Sequence, residues 1–578
     1  MDVHGAVTQT VSALVSGAPG LKALLVDAET YLRALAFLRP TTANILHLRS
    51  ELATPRFSSY DILFSNALSR TLMEELAASD VHSVVTSVSE SYADVYAVGK
   101  SLFTLGVSPC VDTVRRSAAP TALNPFNRTV DGVMAALASL NLQPAAIRYD
   151  GGSTLARSLA QRVAVRLDAE GDIFSVRRGG ARGISGNGLL LIVDRREDPV
   201  TPLLSQWTYQ AMVHELLGLH KGRVDLSNAP GVRDESREVV LNGVDDDFYR
   251  AHMYKNFGDL GAGLAGLVSD FQSKSVSTSN TARVESVEQM RAFVDAYPAF
   301  RAASAHVSKH VTLMAELSRL VETRSLLKLS ALEQDLACRE AEAEHKKKVG
   351  EAVRDPTLRM ADRLRLLCLY ALRHETSATA GVGALADALA SSTGTVEGAR
   401  HVQATLRGVR AYAGARRRRG DVFNNRTFLA LAKSTVKRGL GGVENVYTQH
   451  EPLLARTLES VFRGRLSSDA FPVVGEEEGG LSGGGGGGGG SDRHNVAPRE
   501  VLVFVVGGTT YEEARCVASV NGAVNAAKAA EGSATAGAAA AARAVGGTVV
   551  LGGTAVHNSD SFLVEVAGVV AATGGALG

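Results

Sequence analysis

Cysteine is scarce. The four present in 578 residues, Cys110, Cys338, Cys368 and Cys516, are scattered along the chain and form no CxxC pair. That excludes a disulfide framework and a cysteine zinc site, and it fits a reducing compartment. Long apolar runs are missing too. No uncharged stretch reaches the ~18–20 residues of a membrane span, and the nearest, the tail from Val566, is short and rich in glycine. The stretch MDVHGAVTQTVSALVSG has no basic n-region, so no signal peptide is expected. Neither charge sign prevails: 61 Lys and Arg against 60 Asp and Glu leave a net charge of +1, which gives no global field for nucleic acid or a membrane surface. The local run Arg416–Arg419 reads as a solvated loop. No GxxxxGK[ST] and no GxSxG elbow occurs, and the lone cysteines carry no catalytic signature.

What is present is the patterning of a large soluble α/β protein. The length exceeds what one core supports, so two to four domains are expected. In the part to about Pro120, Lys22–Asp27, Ala34–Pro40, Ser58–Ser65 and Ala93–Val98 read as strands. Leu68–Ser79 and the Val84 region read as helices, which together suggest a small parallel sheet with covering helices. Only six residues, AETYLR, separate the first two strands, whereas a parallel crossover takes a dozen or more. A second α/β part holds Ala145–Asp150, a helix from Ser153 and the strand Leu189–Val193; a helix then reads from Leu203 to Leu219. The late runs Val501–Gly508 and Thr548–Thr554 have the continuous apolar character of strands buried on both faces. They are expected to join the sheet of Leu189–Val193, so that a long insertion splits the second domain.

The insertion, roughly Asp225–Gly464, is nearly all helical in pattern. Val307, Val311, Met314, Leu317 and Val321 recur at steps of three and four. Ser330 and Glu333 have the spacing of a capping box, and Lys346–Lys348 suit a helix C-terminus. Val307–Lys348 is therefore read as a helical hairpin, and Asp355-Pro356 as the start of a further helix. The expected domains are 1–120, 121–224, 225–464 and 465–578, the last two α/β stretches forming one domain. A glycine-rich linker at 479–491 and an alanine-rich insertion at 525–545 interrupt the last part.

Tests for chemistry come out empty. HELLGLH places His214 and His220 six positions apart, about 120° around a helix, so one zinc ion cannot bridge them. Asp194 and Asp198 end a buried strand as a magnesium site might. The Gly507-Gly508 turn precedes a helix, where amides can cradle an anion. These features are the basis of an alternative reading as a nucleotide-binding α/β enzyme. Against it, no lysine loop is present, and Thr510 with Glu513 explains the turn as a capping box. Without a ligand, Arg195 or Arg196 pairs with an acid at the strand end, Pro199 and Pro202 shape the turn, and Trp207 anchors the helix to the sheet.

The stretch LLLIVDRREDPVTPLLSQWTYQAMVHELLGL resembles the signature of the Sec-one/Munc-eighteen (SM) proteins. So do AFLRPTTANI, DFYRAHMYKNFGDLG, VSKHVTLMAELSRLV, LGGVENVYTQHEPLL, VFVVGGTTYEEA and LGGTAVHNSDSFL, in that order from end to end. The resemblance is closest to a branch concerned with vacuolar protein sorting. It implies an arch-shaped three-domain fold, with two parallel-sheet α/β domains and a helical domain inserted in the second. It also implies no catalytic activity, no cofactor and no metal. The implied function is control of SNARE assembly in vesicle docking and fusion at the trans-Golgi network and endosomes. The implied partners are a syntaxin-type Qa-SNARE and the assembling SNARE bundle. The protein is expected to be a cytoplasmic monomer that reaches the membrane only indirectly through SNAREs and binds no nucleic acid. By alignment, the Qa-SNARE N-terminal peptide would meet Met73 and Leu76 with Glu90 at the rim. The helical hairpin would present Val311, Met314, Leu317 and Val321 to the bundle. Family members also carry some tens of residues near Thr30-Tyr31 that this chain lacks, which agrees with the short crossover.

Overall fold

A computed structural model describes residues 33–108, 125–170, 188–232, 237–279, 287–423, 447–475, 497–531 and 547–572, with residues 2, 3 and 5. The expected strand Lys22–Asp27, the short connection after it, the run Gly483–Gly490 and most of the alanine-rich segment lie outside them. The chain divides into two compact units.

The first unit comprises Met1–Glu197, Leu453–Thr509 and Cys516–Val556 and contains two sheets. The smaller is built from β1 (Arg33–Leu38), β2 (Ser59–Phe64) and β3 (Val85–Glu90), parallel and in that order. Helices Thr42–Ala53 and Arg70–Ser79 make the crossovers. Each is capped by the hydroxyl before it, Thr41 accepting from the amide of Asn44 and Ser69 from that of Leu72. Their apolar stripes, Ile45, Leu48, Leu52 and Leu76, close over Ala34, Tyr60, Ile62 and Phe64. The helix expected around Val84 is instead β3. Val84, Val85 and Val88 mimic helical spacing, but a β-branched run of this kind suits a strand.

The larger sheet is built from β4 (Tyr96–Gly99), β5 (Leu102–Thr104), β6 (Ala146–Tyr149), β7 (Gly188–Asp194), β8 (Glu500–Val506) and β9 (Thr548–Gly553), in the order β4-β5-β9-β8-β7-β6. All pairs are parallel except β4 with β5. The strand expected at Ala93–Val98 thus belongs here and not to the first sheet. The late strands pair with β7 as expected, Leu190 beside Leu502 and Val503 beside Leu551. Leu190, Ile192, Leu502, Phe504 and Val550 are buried in one core with helices Pro125–Leu140 and Thr154–Ala169. Gly552 is required inside β9: a Cβ there would lie 2.1 Å from the Phe103 ring.

The second unit comprises Asp198–Pro452, Thr510–Arg515 and His557–Gly578. Apart from a two-stranded ribbon, Arg223–Asp225 with Glu238–Val240, its regular structure among the described residues is helical. Several local expectations give way to tertiary contacts. Thr201–Leu203 is a 3₁₀ turn and the helix starts only at Tyr209. In between, the Ser205 amide donates to Glu333 (2.6 Å) and Trp207 Nε1 to Ser330 Oγ (2.8 Å). Trp207 is therefore fastened within the helical unit, beside Phe257 and Tyr447, and not to a sheet. Ser330 and Glu333 are no capping box. They lie inside the helix Leu326–Cys338, both fully buried. Lys346–Lys348 sit within the helix Glu342–Arg354, away from its end. Asp355 follows that helix and accepts from the amide and hydroxyl of Thr357; the next helix begins at Met360.

Candidate functional site

Two helical surfaces carry the residues singled out above. On the helix Arg70–Ser79, Met73 is 44% exposed while Leu76 is buried at 3%. The core boundary runs between these two positions, about 60° apart around the helix. Leu76 therefore holds the helix on the small sheet and is not open to a partner, which corrects the expected pairing. Glu90, at the end of β3, is exposed. Its carboxylate accepts from the Leu68 amide at 2.7 Å and so positions the turn that feeds the helix. Phe37, Leu46 and Val88 are also large, apolar and exposed, and no pattern in the sequence singles them out.

The second surface belongs to the long helix Val287–Thr323. At its C-terminal end Ser325, in the left-handed region, turns the chain into Leu326–Cys338, forming a hairpin with a tighter corner; its second arm stops at Cys338, short of the expected Lys348, which lies in the separate helix Glu342–Arg354. Among the described side chains of the long helix, His310, Leu313, Glu316 and Leu317 are buried. Val311 is 41% exposed, and Met314 and Val321 are half-buried. Leu317, at 0% exposure, is core and not a contact residue. The apolar stripe and the true seam differ by one helical position, because a histidine and not a valine faces inward.

That histidine belongs to a polar cluster with no sequence forewarning. His310 Nδ1 lies 2.9 Å from Tyr209 Oη, and its Nε2 3.0 Å from Asp246. Lys309 Nζ is 2.5 Å from the same carboxylate, and His306 3.6 Å. Burial raises the Asp246 pKa, but the bonds from His310 and Lys309 outweigh it and hold the carboxyl well below its ordinary range. Asp246, His306 and His310 are the one group among the described residues close enough to share a metal ion. Lys309 already supplies the cation, so the cluster needs no metal; it clamps the long helix to the turn at Asp246, which also caps the next helix through the Tyr249 amide.

A second buried cluster centres on Arg365, 1% exposed. It meets Glu333 at 2.7 Å, Glu215 at 2.9 Å and Asp362 at 3.4 Å, while Arg324 holds Asp362 from the other side at 2.7 Å. Burial raises the Glu215 pKa against the pull of Arg365. A cavity of about 10 Å³ beside it is lined by Ser205, Trp207, Glu215, Arg324 and Arg365, room for no more than one water.

The groups considered for nucleotide chemistry are already engaged. Asp194 accepts from Ser153 Oγ (2.6 Å) and the Arg196 amide (2.9 Å). Arg196 donates to the Gly152 carbonyl and lies 3.9 Å from Asp194. Asp198 takes the amide and hydroxyl of Thr201. The Gly507 amide donates to Thr554 Oγ1, and Thr510 with Glu513 closes the expected capping box. His214 and His220 share no ligand group. Among the described residues no helix is long and apolar enough to cross a membrane.

Comparison with known proteins identifies the family and the fold. The family model described as the Sec1 family matches residues 18–565. The chain is 40% identical over 546 residues to the vacuolar protein sorting-associated protein 45 homolog of Arabidopsis thaliana, covering 93% of this chain and 87% of that one. To the Homo sapiens vacuolar protein sorting-associated protein 45 it is 36% identical over 600 aligned positions, covering 98% and 96%. Among solved structures it is similar to the SM protein Vps45 in complex with the Qa SNARE Tlg2, with a TM-score of 0.81 at 34% identity, covering 100% and 99%. An Unc18–syntaxin 1 complex from Monosiga brevicollis shares the fold at 19% identity and a TM-score of 0.68.

Proposed function

The chain belongs to the Sec1 family, and from that premise we propose that it is an SM-type regulator of SNARE assembly in vesicle docking and membrane fusion. It binds a syntaxin-type Qa-SNARE and templates the SNARE bundle, and it catalyses no reaction. The observation that carries this reading is the end-to-end match to an SM protein solved with a Qa SNARE bound. The engaged state of Asp194, Asp198 and Gly507 supports the non-enzymatic part. The protein acts from the cytoplasm, at the trans-Golgi network and endosomes, in vacuolar protein transport.

We assign the Qa-SNARE N-peptide to the surface around Met73, with Glu90 setting the helix start. The bundle is assigned to the hairpin ridge bearing Val311, Met314 and Val321. In domain terms, the expected boundary at 120 moves to before Tyr96, because Tyr96–Gly99 and Leu102–Thr104 join the larger sheet. The second α/β domain then takes the chain to Glu197 with the late strands, and the helical one begins at Asp198 and not near 225. The match to the human relative runs over more positions than this chain has residues, which supports an internal omission, placed here near Thr30-Tyr31.

A pull-down of the full chain with a Qa-SNARE N-terminal peptide tests the assignment. Binding is expected, and Met73→Arg should weaken it at least about tenfold, because a charge would be desolvated in an apolar contact. Leu76→Ala should instead lower thermal stability by about 2–5 kcal/mol. Equal peptide affinity in wild type and Met73→Arg would move the site elsewhere. If the short chain fails to bind at all, a chain with the family's segment restored near Thr30 decides the question.

A further inference from the structure

We infer that the arginine face of the helix Val396–Ala413, continued by Arg416 and Arg417, docks directly on membranes rich in anionic lipid. At ~100° per residue, Val396, Arg400, Gln403, Arg407 and Arg410 fall within a sector of about 80°. Arg400, Arg407 and Arg410 are exposed, as are Arg416 and Arg417. Val396, at the start of the same sector, is 70% exposed. The opposite side of the helix is core: Val402, Thr405, Leu406, Val409 and Ala413 are buried. There Gly408 lets the helix Ser559–Ala572 come so close that a Cβ would lie 2.1 Å from the Val566 carbonyl oxygen. The helix is thus fixed by one side and presents the other outward.

The loop that follows is also held. The Ala415 amide donates to Glu375, and Arg418 is buried against the same carboxylate. The run Arg416–Arg419, read from sequence as a solvated loop, is therefore split. Arg418 serves the fold, while Arg416 and Arg417 are exposed just past the helix end. None of Arg400, Arg407, Arg410, Arg416 and Arg417 makes an ion pair among the described residues. The nearby acid Asp387 is engaged by Gln403, and Glu397 lies about 100° from Val396, outside the sector.

Five exposed guanidinium groups, three on one helix face and two just past its end, all arginine and none lysine, suit bidentate pairing with the phosphates of lipid headgroups. Arginine clusters of this size are attracted to anionic leaflets. The cluster has no aromatic side chain on which a base could stack, and exposed Val396 suits the apolar boundary below the headgroups better than a nucleic acid. The surface adds a direct contact to a protein expected to reach the membrane only through SNAREs, and it does not depend on the SNARE reading.

Flotation of the full chain with SNARE-free vesicles tests it. Phosphatidylcholine vesicles containing about one third phosphatidylserine should carry the protein at low salt, and pure phosphatidylcholine should not. Raising salt should release it. Arg400→Glu/Arg407→Glu/Arg410→Glu should cut partitioning roughly a hundredfold while leaving Qa-SNARE peptide binding unchanged. Arg400→Gln/Arg407→Gln/Arg410→Gln provides the same readout should the first variant misfold. Equal flotation of wild type and the glutamine variant, or no flotation of wild type, overturns the inference. So does retention on duplex RNA at a salt concentration that releases the vesicles.

Discussion

At the scale of single residues, the helical unit keeps several histidines neutral by burying them. His345 is fully buried, with Nδ1 3.1 Å from His374 Nε2 and Nε2 3.7 Å from Asp335. Burial pushes its pKa down to about 4, and Asp335 pulls only weakly the other way. Burial lowers His374 as well. An unfolded histidine holds its proton up to about pH 6.5, so between these values the unfolded chain binds the extra proton. Stability is then complete above about pH 6.5 and declines as pH falls towards 4. Thermal melts across that window should show Tm dropping with pH, and His345→Gln should flatten the slope. A slope unaffected by His345→Gln would assign the loss to other groups. Met73 and Leu76 make a complementary point: neighbours in a helix divide labour, one left exposed and one in the core.

At the scale of elements, Arg365 joins three of them. From the helix Met360–Arg373 it reaches Glu215 at the end of Tyr209–Leu216, Glu333 in Leu326–Cys338 and Ser559 at the start of Ser559–Ala572. Arg365→Met should destabilise the protein by about 3–5 kcal/mol, because buried carboxylates lose their counter-charge. Adding Glu333→Met should recover part of that loss, which a double-mutant cycle by denaturant titration would measure. Additive losses would mean that the two side chains act independently. This cluster also marks where the sequence stops being legible. The continuous apolar runs at Leu189, Val501 and Thr548 announce β7, β8 and β9, because burial on both faces leaves little freedom of composition. The helix from Ser153 is announced by its cap. By contrast, Ser330 and Glu333 have capping-box spacing for an unrelated reason: their partners, Trp207 and Arg365, come from distant sequence. A spacing of three is common, and only the tertiary partner decides its use. Leu317 was assigned outward for a similar reason. Its periodicity is correct, but His310 and Leu313 set which side faces in.

At the scale of the whole molecule, the strand order of the larger sheet dominates. β8 and β9 come late in the chain yet stand in the middle, between β5 and β7. A chain ending at Pro452 should therefore fail as a folded protein, although most of its residues precede that point. Expressed alone, it should be insoluble or aggregated, as judged by sedimentation after lysis, because β5 and β7 would expose unpaired edges. A soluble, cooperatively melting fragment would show that the early strands can pair without β8 and β9.

The same order sets a timetable for the ribosome. β7 is complete at Asp194, but its neighbour β8 begins only at Glu500. At ~5–20 residues per second the gap lasts roughly 15–60 s. For that time the nascent chain carries Gly188–Asp194 with one edge unfilled while the whole helical insertion is translated. Slow codons or pauses inside the insertion lengthen the exposure, and chaperone demand should track translation speed there more than anywhere else in the gene.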